Sequence, residues 1–117
     1  METDPYKKRL EAEGQELETR MRALGRPNPA VSGDWELARA EITAEADPVD
    51  EAQLITGREN DAAILNDLET RYDLVREALK RIEKGTYGVC RIGGEPIEHD
   101  RLMADPAATT CKAHLNA

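Results

Sequence analysis

The residues best suited to hold a metal lie near the C-terminus, as Cys90-Arg91-Ile92-Gly93 and Cys111-Lys112-Ala113-His114. Zinc ribbons take two thiolate or imidazole ligands two residues apart, then a second such pair roughly twenty residues later. Both half-sites have that register here, but Gly93 stands where the second ligand of the first pair is needed. Cys90, Cys111 and His114 remain, one short of the four protein ligands that structural zinc prefers. The missing ligand leads to the expectation of a zinc fold without its metal, both cysteines being buried as small apolar side chains. Zinc is the alternative, with water or a nearby side chain completing the set. His99, between Glu98 and Asp100, reads as a surface residue rather than the missing ligand.

A second group is Asp47-Pro48-Val49-Asp50-Glu51-Ala52. Asp before a helix, Pro at its first position and acidic residues in its first turn together stabilise a helix N-terminus. If that start is the apex of a helical hairpin, the same carboxylates are also the part that enters another molecule first. No nucleophile–base pair, phosphate-binding glycine loop or paired carboxylates in a pocket can be assembled, so catalysis has no support.

The elements that must position these groups are mostly helical. With 117 residues, 34% charged and 3% aromatic, the chain allows one domain without a thick core, while 39% hydrophobic residues exceed what a disordered acidic tail carries. Tyr6, Leu10, Leu17, Met21 and Leu24 form a helical stripe from about Asp4 to Leu24. Gly25, Pro27 and Pro29 end it, and residues 25–33 read as a loop. Asp34 then caps a helix with Trp35, Ala38 and Ile42 on one face, running to about Ala46. From Val49 to about Lys84 runs the longest helical signal, with Leu65, Leu68, Tyr72, Val75, Leu79 and Ile82 in heptad rhythm. Two helices joined at Asp47-Pro48 pack antiparallel in the simplest arrangement. Gly85 closes the second. Two short extended pieces about a glycine turn follow, then a helical turn at residues 100–103 and a last short helix from Cys111 to Leu115.

The fold class expected is therefore mainly α: an antiparallel coiled-coil hairpin followed by a small zinc-ribbon-like subdomain with short strands and a short helix. Its divisions are residues 1–33, 34–84 with the tip at 46–52, and 85–117. A net charge of −8 with interleaved basic residues argues against direct nucleic-acid binding and suits a basic protein surface. The absence of an apolar span and of a signal pattern at Met1-Glu2-Thr3-Asp4 leads to a cytoplasmic expectation, with reduced cysteines and no membrane partner.

These motifs together resemble the DksA/TraR family. Asp47, Asp50 and Ala52 match the Asp-x-x-Asp-x-Ala hairpin tip of DksA, and residues 78–90 look like the entry to the family's zinc finger. Glu95-Pro96-Ile97, Arg101-Leu102 and Pro106-Ala107-Ala108 continue the likeness to Cys111. The resemblance implies a regulator that enters the secondary channel of bacterial RNA polymerase and modulates initiation without reading DNA. Asp47 and Asp50 would be effector carboxylates near the active centre, and Ala52 a small residue at a tight contact. Leu74 and Leu115 stand where alarmone-responsive members carry basic residues, so no alarmone dependence is expected. Another class of function fits the same residues: a zinc-binding or redox-responsive stress protein acting through self-association of its heptads. A third is a channel plug lacking the tip chemistry, which the presence of both tip carboxylates disfavours.

Overall fold

Helix α1 (Asp4–Leu24) begins where the sequence places it, with the Thr3 carbonyl accepting the first intrahelical bond from the Lys7 N–H at 2.8 Å. Asp4 sits favourably at the positive end of the helix dipole, and Pro5 in the first turn has no amide hydrogen to leave unpaired. The computed structural model describes residues 2–31, 33–37 and 48–115, with side chains described outside 48–56. Its architecture is mainly α: a long helical hairpin, a two-stranded antiparallel sheet and a short C-terminal helix. The chain divides into two compact units, Met1–Glu16 with Tyr72–Ala117, and Leu17–Arg71.

In the first of these units, the start of α1 runs antiparallel to the end of helix α2 (Pro48–Lys84). Tyr6 stacks at a tilt on Tyr87, ring centroids 5.7 Å apart, and a methyl placed on Gly14 would lie 3.6 Å from Val75 Cγ1. Tyr6 and Leu10 are buried on one side of this seam, Val75 and Ala78 on the other, while Tyr72, Leu79 and Ile82 are half-buried. A contact of 3.6 Å is ordinary van der Waals packing, and Gly14 is in a helix interior. Gly14→Ala is therefore expected to stabilise the chain by about 0.5–1 kcal/mol, read as a higher urea midpoint at unchanged m.

The other unit holds a feature at odds with the sequence expectation. Gly25–Pro27 is strand β1 and Trp35–Leu37 strand β2, paired antiparallel with Arg26 opposite Glu36. Residues 35–37 thus do not open a helix capped by Asp34. Trp35 and Leu37 alternate with Glu36, a period-two pattern that the helical reading of Trp35, Ala38 and Ile42 obscured. Residues 38–47, including Ala38 and Ile42, lie outside the described part.

The ribbon is held by Arg26 Nε on Glu36 Oε1 at 2.8 Å, and its loop by the Asn28 N–H donating to the Asp34 carbonyl at 2.8 Å. Gly25 permits the close approach of the strands, since a Cβ there would lie 2.1 Å from the Glu36 carbonyl oxygen. Gly25→Ala must push a backbone aside. It is expected to cost about 1–3 kcal/mol in the same urea experiment, opposite in sign to Gly14→Ala.

Helix α2 spans the longest helical signal in the sequence and stops at Gly85 in a Schellman motif. Gly85 takes φ 75°, its N–H bonds to the Ile82 carbonyl at 3.2 Å, and the Thr86 N–H reaches the Arg81 carbonyl at 2.9 Å. This sharp stop releases the chain into the segment that carries the cysteines.

Candidate metal centre

Beyond Gly85, a short loop is shaped by two glycines in the left-handed region, Gly88 at φ 82° and Gly94 at φ 76°. One antiparallel bridge, Val89 with Pro96, is all the ladder that forms here. Around it the Ile97 N–H donates to the Gly88 carbonyl, and the Cys90 N–H to the Glu95 carbonyl, both at 2.8 Å. The turn closes with the Gly94 N–H on the Cys90 carbonyl at 3.0 Å, which brings residues 90 and 95 side by side.

Helix α3 (His99–Ala104) then packs the fully buried Leu102 into a small core with Tyr87, Ile97, Ala107 and Ala108. Tyr87 donates its hydroxyl to the Pro106 carbonyl at 2.6 Å. Burial, helped by the neighbouring Tyr6, pushes this phenol up to about 12. Arg91 N–H to the Thr109 carbonyl and Arg101 Nε to the Thr110 carbonyl, each 2.9 Å, fasten the returning segment. That segment delivers Cys111 to the loop, and a 3-10 turn at Lys112–His114 swings the imidazole back over it.

The result is a cluster of four potential donors, Cys90, Glu95, Cys111 and His114, whose ligand atoms all lie within 4.8 Å of one another. Both cysteines are buried free thiols, whereas Glu95 and His114 are half-buried. His114 Nδ1 is 3.2 Å from Cys111 Sγ, 3.5 Å from Cys90 Sγ and 2.7 Å from Glu95 Oε1. Cys111 Sγ donates to the same Glu95 oxygen at 2.7 Å.

Charge is distributed accordingly. Burial raises the Cys90 thiol, but the backbone N–H groups of Gly93, Cys111 and Ile92, with the Cys111 side chain, outweigh it and bring Cys90 to about 7. Hydrogen bonding to the Glu95 carboxylate pushes the Cys111 thiol up, and the same bond holds Glu95 below the usual carboxylate range. His114 is raised chiefly by its bond to Cys90, against the opposing effect of burial, with Glu95 adding to the rise.

Two sulfurs, one imidazole nitrogen and one carboxylate oxygen are all donors that a zinc-like divalent ion accepts. Tetrahedral bonds of ordinary zinc length would separate the donors by roughly 3.3–3.8 Å. The contacts of His114 with both sulfurs and Glu95, and of Cys111 with Glu95, are at or below that range, and no pair of ligand atoms exceeds 4.8 Å, so modest side-chain shifts would admit an ion. The donor set fits.

The three ligands expected from the sequence thus come together, and Glu95 joins them unforeseen. Its sign in the sequence was the pair Gly93 and Glu95, a side chain missing at one position and a carboxylate two residues on. His99 is outside the cluster, its Nδ1 2.7 Å from the Tyr6 hydroxyl. Of the residues expected at the tip, Asp50 and Ala52 belong to the first turns of α2, which opens at Pro48; their side chains and all of Asp47 lie outside the described residues. Leu74 and Leu115 are both exposed.

Comparison with solved structures shows what this arrangement is similar to. Transcription factor DksA2 from Pseudomonas aeruginosa superposes with a TM-score of 0.67 and 28% identity, covering 93% of this chain and 76% of its own. Among curated proteins, the RNA polymerase-binding transcription factor DksA of Caulobacter vibrioides (strain NA1000 / CB15N) is 51% identical over 35 residues, 30% of this chain and 25% of that protein. The chain is DksA/TraR-like. An uncharacterized protein of Bacillus subtilis (strain 168), YteA, is 45% identical over 65 residues, 54% of this chain and 26% of its own. The matched segments thus span about a quarter of the length of these curated relatives. No family model matches the chain. Among the described residues no helix is long and apolar enough to cross a membrane.

Proposed function

We propose that this DksA/TraR-like chain is a transcription regulator that binds bacterial RNA polymerase through its secondary channel, the hairpin inward. The observation that supports it most is the likeness of nearly the whole chain to transcription factor DksA2, since a match over 93% of the residues includes both α2 and the cysteine-bearing segment. The Caulobacter relative, an RNA polymerase-binding transcription factor, points to the same partner. A chain of net charge −8 suits a basic channel wall and is repelled by nucleic acid, so initiation would be modulated without sequence reading.

In this reading Asp47 and Asp50 approach the active centre. There, carboxylates compete for the hydrogen bonds and charge of basic loops and of catalytic Mg²⁺. Ala52 leaves room for close contact. The hairpin is the positioning device, and the cysteine-bearing segment braces the end of α2 remote from Pro48. Zinc, if held, would supply a structural cross-link through Cys90, Cys111 and His114.

The test is displacement. Titrating the protein against a labelled secondary-channel factor on purified bacterial RNA polymerase should remove the label at micromolar concentration or below. A folded sample that displaces nothing would refute the channel reading, leaving the metal- or redox-responsive protein acting through self-association as the better account of the cysteines.

A further inference from the structure

Gly93 and Glu95 share one volume. A Cβ built on Gly93 would lie 1.9 Å from Glu95 Oε2 and 2.7 Å from its carboxyl carbon and Oε1. The carboxylate therefore occupies the space into which a side chain at position 93 would project, the place where the half-site register asks for a ligand. It arrives from two residues downstream because Gly94, at φ 76°, turns the chain back on itself. The other oxygen of that carboxylate, Oε1, is 2.7 Å from both Cys111 Sγ and His114 Nδ1.

We propose that Glu95 is the fourth ligand of a divalent-metal site made with Cys90, Cys111 and His114, a carboxylate standing in for the ligand that Gly93 cannot provide. The site is a two-sulfur, one-nitrogen, one-oxygen set, suited to zinc or cobalt, and the glycine is part of its design. Any side chain at 93 evicts the carboxylate. The surrounding backbone favours thiolates: the N–H groups of Gly93, Cys111 and Ile92 act to lower the Cys90 thiol, and those of His114 and Ala113 act in the same sense on Cys111. Such outer contacts orient ligands and neutralise sulfur charge around a bound ion. Binding displaces the protons that now bridge Cys111, His114 and Glu95, so the metal replaces a hydrogen-bonded cluster rather than filling a void. This assignment is independent of any polymerase partner.

The experiment uses the full chain, stripped with a chelator under reducing conditions and titrated with Co²⁺, then Zn²⁺. The wild type is expected to take up one Co²⁺ with thiolate charge-transfer and tetrahedral d–d bands, both lost when one equivalent of Zn²⁺ displaces it. Glu95→Ala and Glu95→Gln should weaken Zn²⁺ binding on the order of a hundredfold, as loss of a ligand exceeds loss of an outer contact. Gly93→Ala removes no ligand, yet should weaken binding comparably, because its methyl displaces the flexible end of Glu95. In a Gly93→Cys background, Glu95→Ala should change affinity little, a thiolate having resumed the role.

Far-UV circular dichroism checks that each variant keeps its helices. If Glu95→Ala does not, Glu95→Gln and Gly93→Ala decide. A folded wild type that binds no stoichiometric Co²⁺ overturns the site and leaves a hydrogen-bonded, metal-free cluster. Unchanged affinity in both Glu95→Gln and Gly93→Ala overturns Glu95 as the ligand and assigns the fourth position to water.

Discussion

Changing Asp47 and Asp50 together to Asn is expected to leave the protein bound to RNA polymerase while abolishing its effect on open-complex lifetime. Asn has nearly the size of Asp and serves as well at a helix N-cap, so the start of α2 at Pro48 should survive. The dipole contribution forgone at a helix N-terminus is about 0.3–1 kcal/mol per carboxylate. Affinity should change little, since long faces of the hairpin, not its two tip charges, would make most of the contact. On the proposed function, the regulatory effect would depend on the charges themselves. One or two kcal/mol applied to a nearly balanced promoter equilibrium shifts its populations about five- to thirty-fold, and that factor is what the double substitution should erase. Displacement titration and open-complex half-life, measured on the same samples, separate the two. A variant as effective as the wild type would remove Asp47 and Asp50 from the mechanism. One that loses binding in proportion to effect would make them docking residues.

The elements most legible in the sequence were those with long, uniform patterns and a chemical stop. Helix α1 ends at Leu24, where Gly25 opens β1, and α2 ends at Lys84 because Gly85 takes the left-handed turn; both boundaries lie where composition places them. The two-stranded ribbon was hidden because an alternation only three residues long, at Trp35-Glu36-Leu37, is outweighed by the helical spacing of Trp35, Ala38 and Ile42. Pro27 and Pro29, with Gly33, read equally as a loop or as a tight connection between strands. The partner of the α2 seam was obscured for a related reason. Proximity along the chain favoured residues 34–46, but around Val75 the buried residues opposite come from α1, far away in sequence. At the metal centre, Cys90, Cys111 and His114 were visible through spacing alone. Glu95 was not, because it enters through the volume left by Gly93 and the turn at Gly94, a relation between backbone conformation and side-chain reach that no ligand-spacing rule contains.

Leu10→Ala is the sharpest test of that seam. Leu10 has no exposed surface, and it lies one helical turn from Gly14, whose added methyl would touch Val75. Truncating a leucine so enclosed removes its transfer free energy and leaves a cavity that rigid helices close only in part. The expected loss is about 2–5 kcal/mol. That is a large share of the 5–15 kcal/mol typical of a whole domain. Leu74→Ala provides the contrast: next to Val75 in sequence but 41% exposed, it should alter stability by no more than about 0.5 kcal/mol. Urea melts at two protein concentrations decide how the stripe is covered. Val75 and Ala78 are already buried within one chain, with Gly14 of α1 beside Val75, so the loss should be independent of concentration. A loss that shrinks as protein concentration rises would mean that a second chain shares the seam, and self-association would then have a physical basis. A loss below about 1 kcal/mol would mean that α1 is not the arm against which the end of α2 packs.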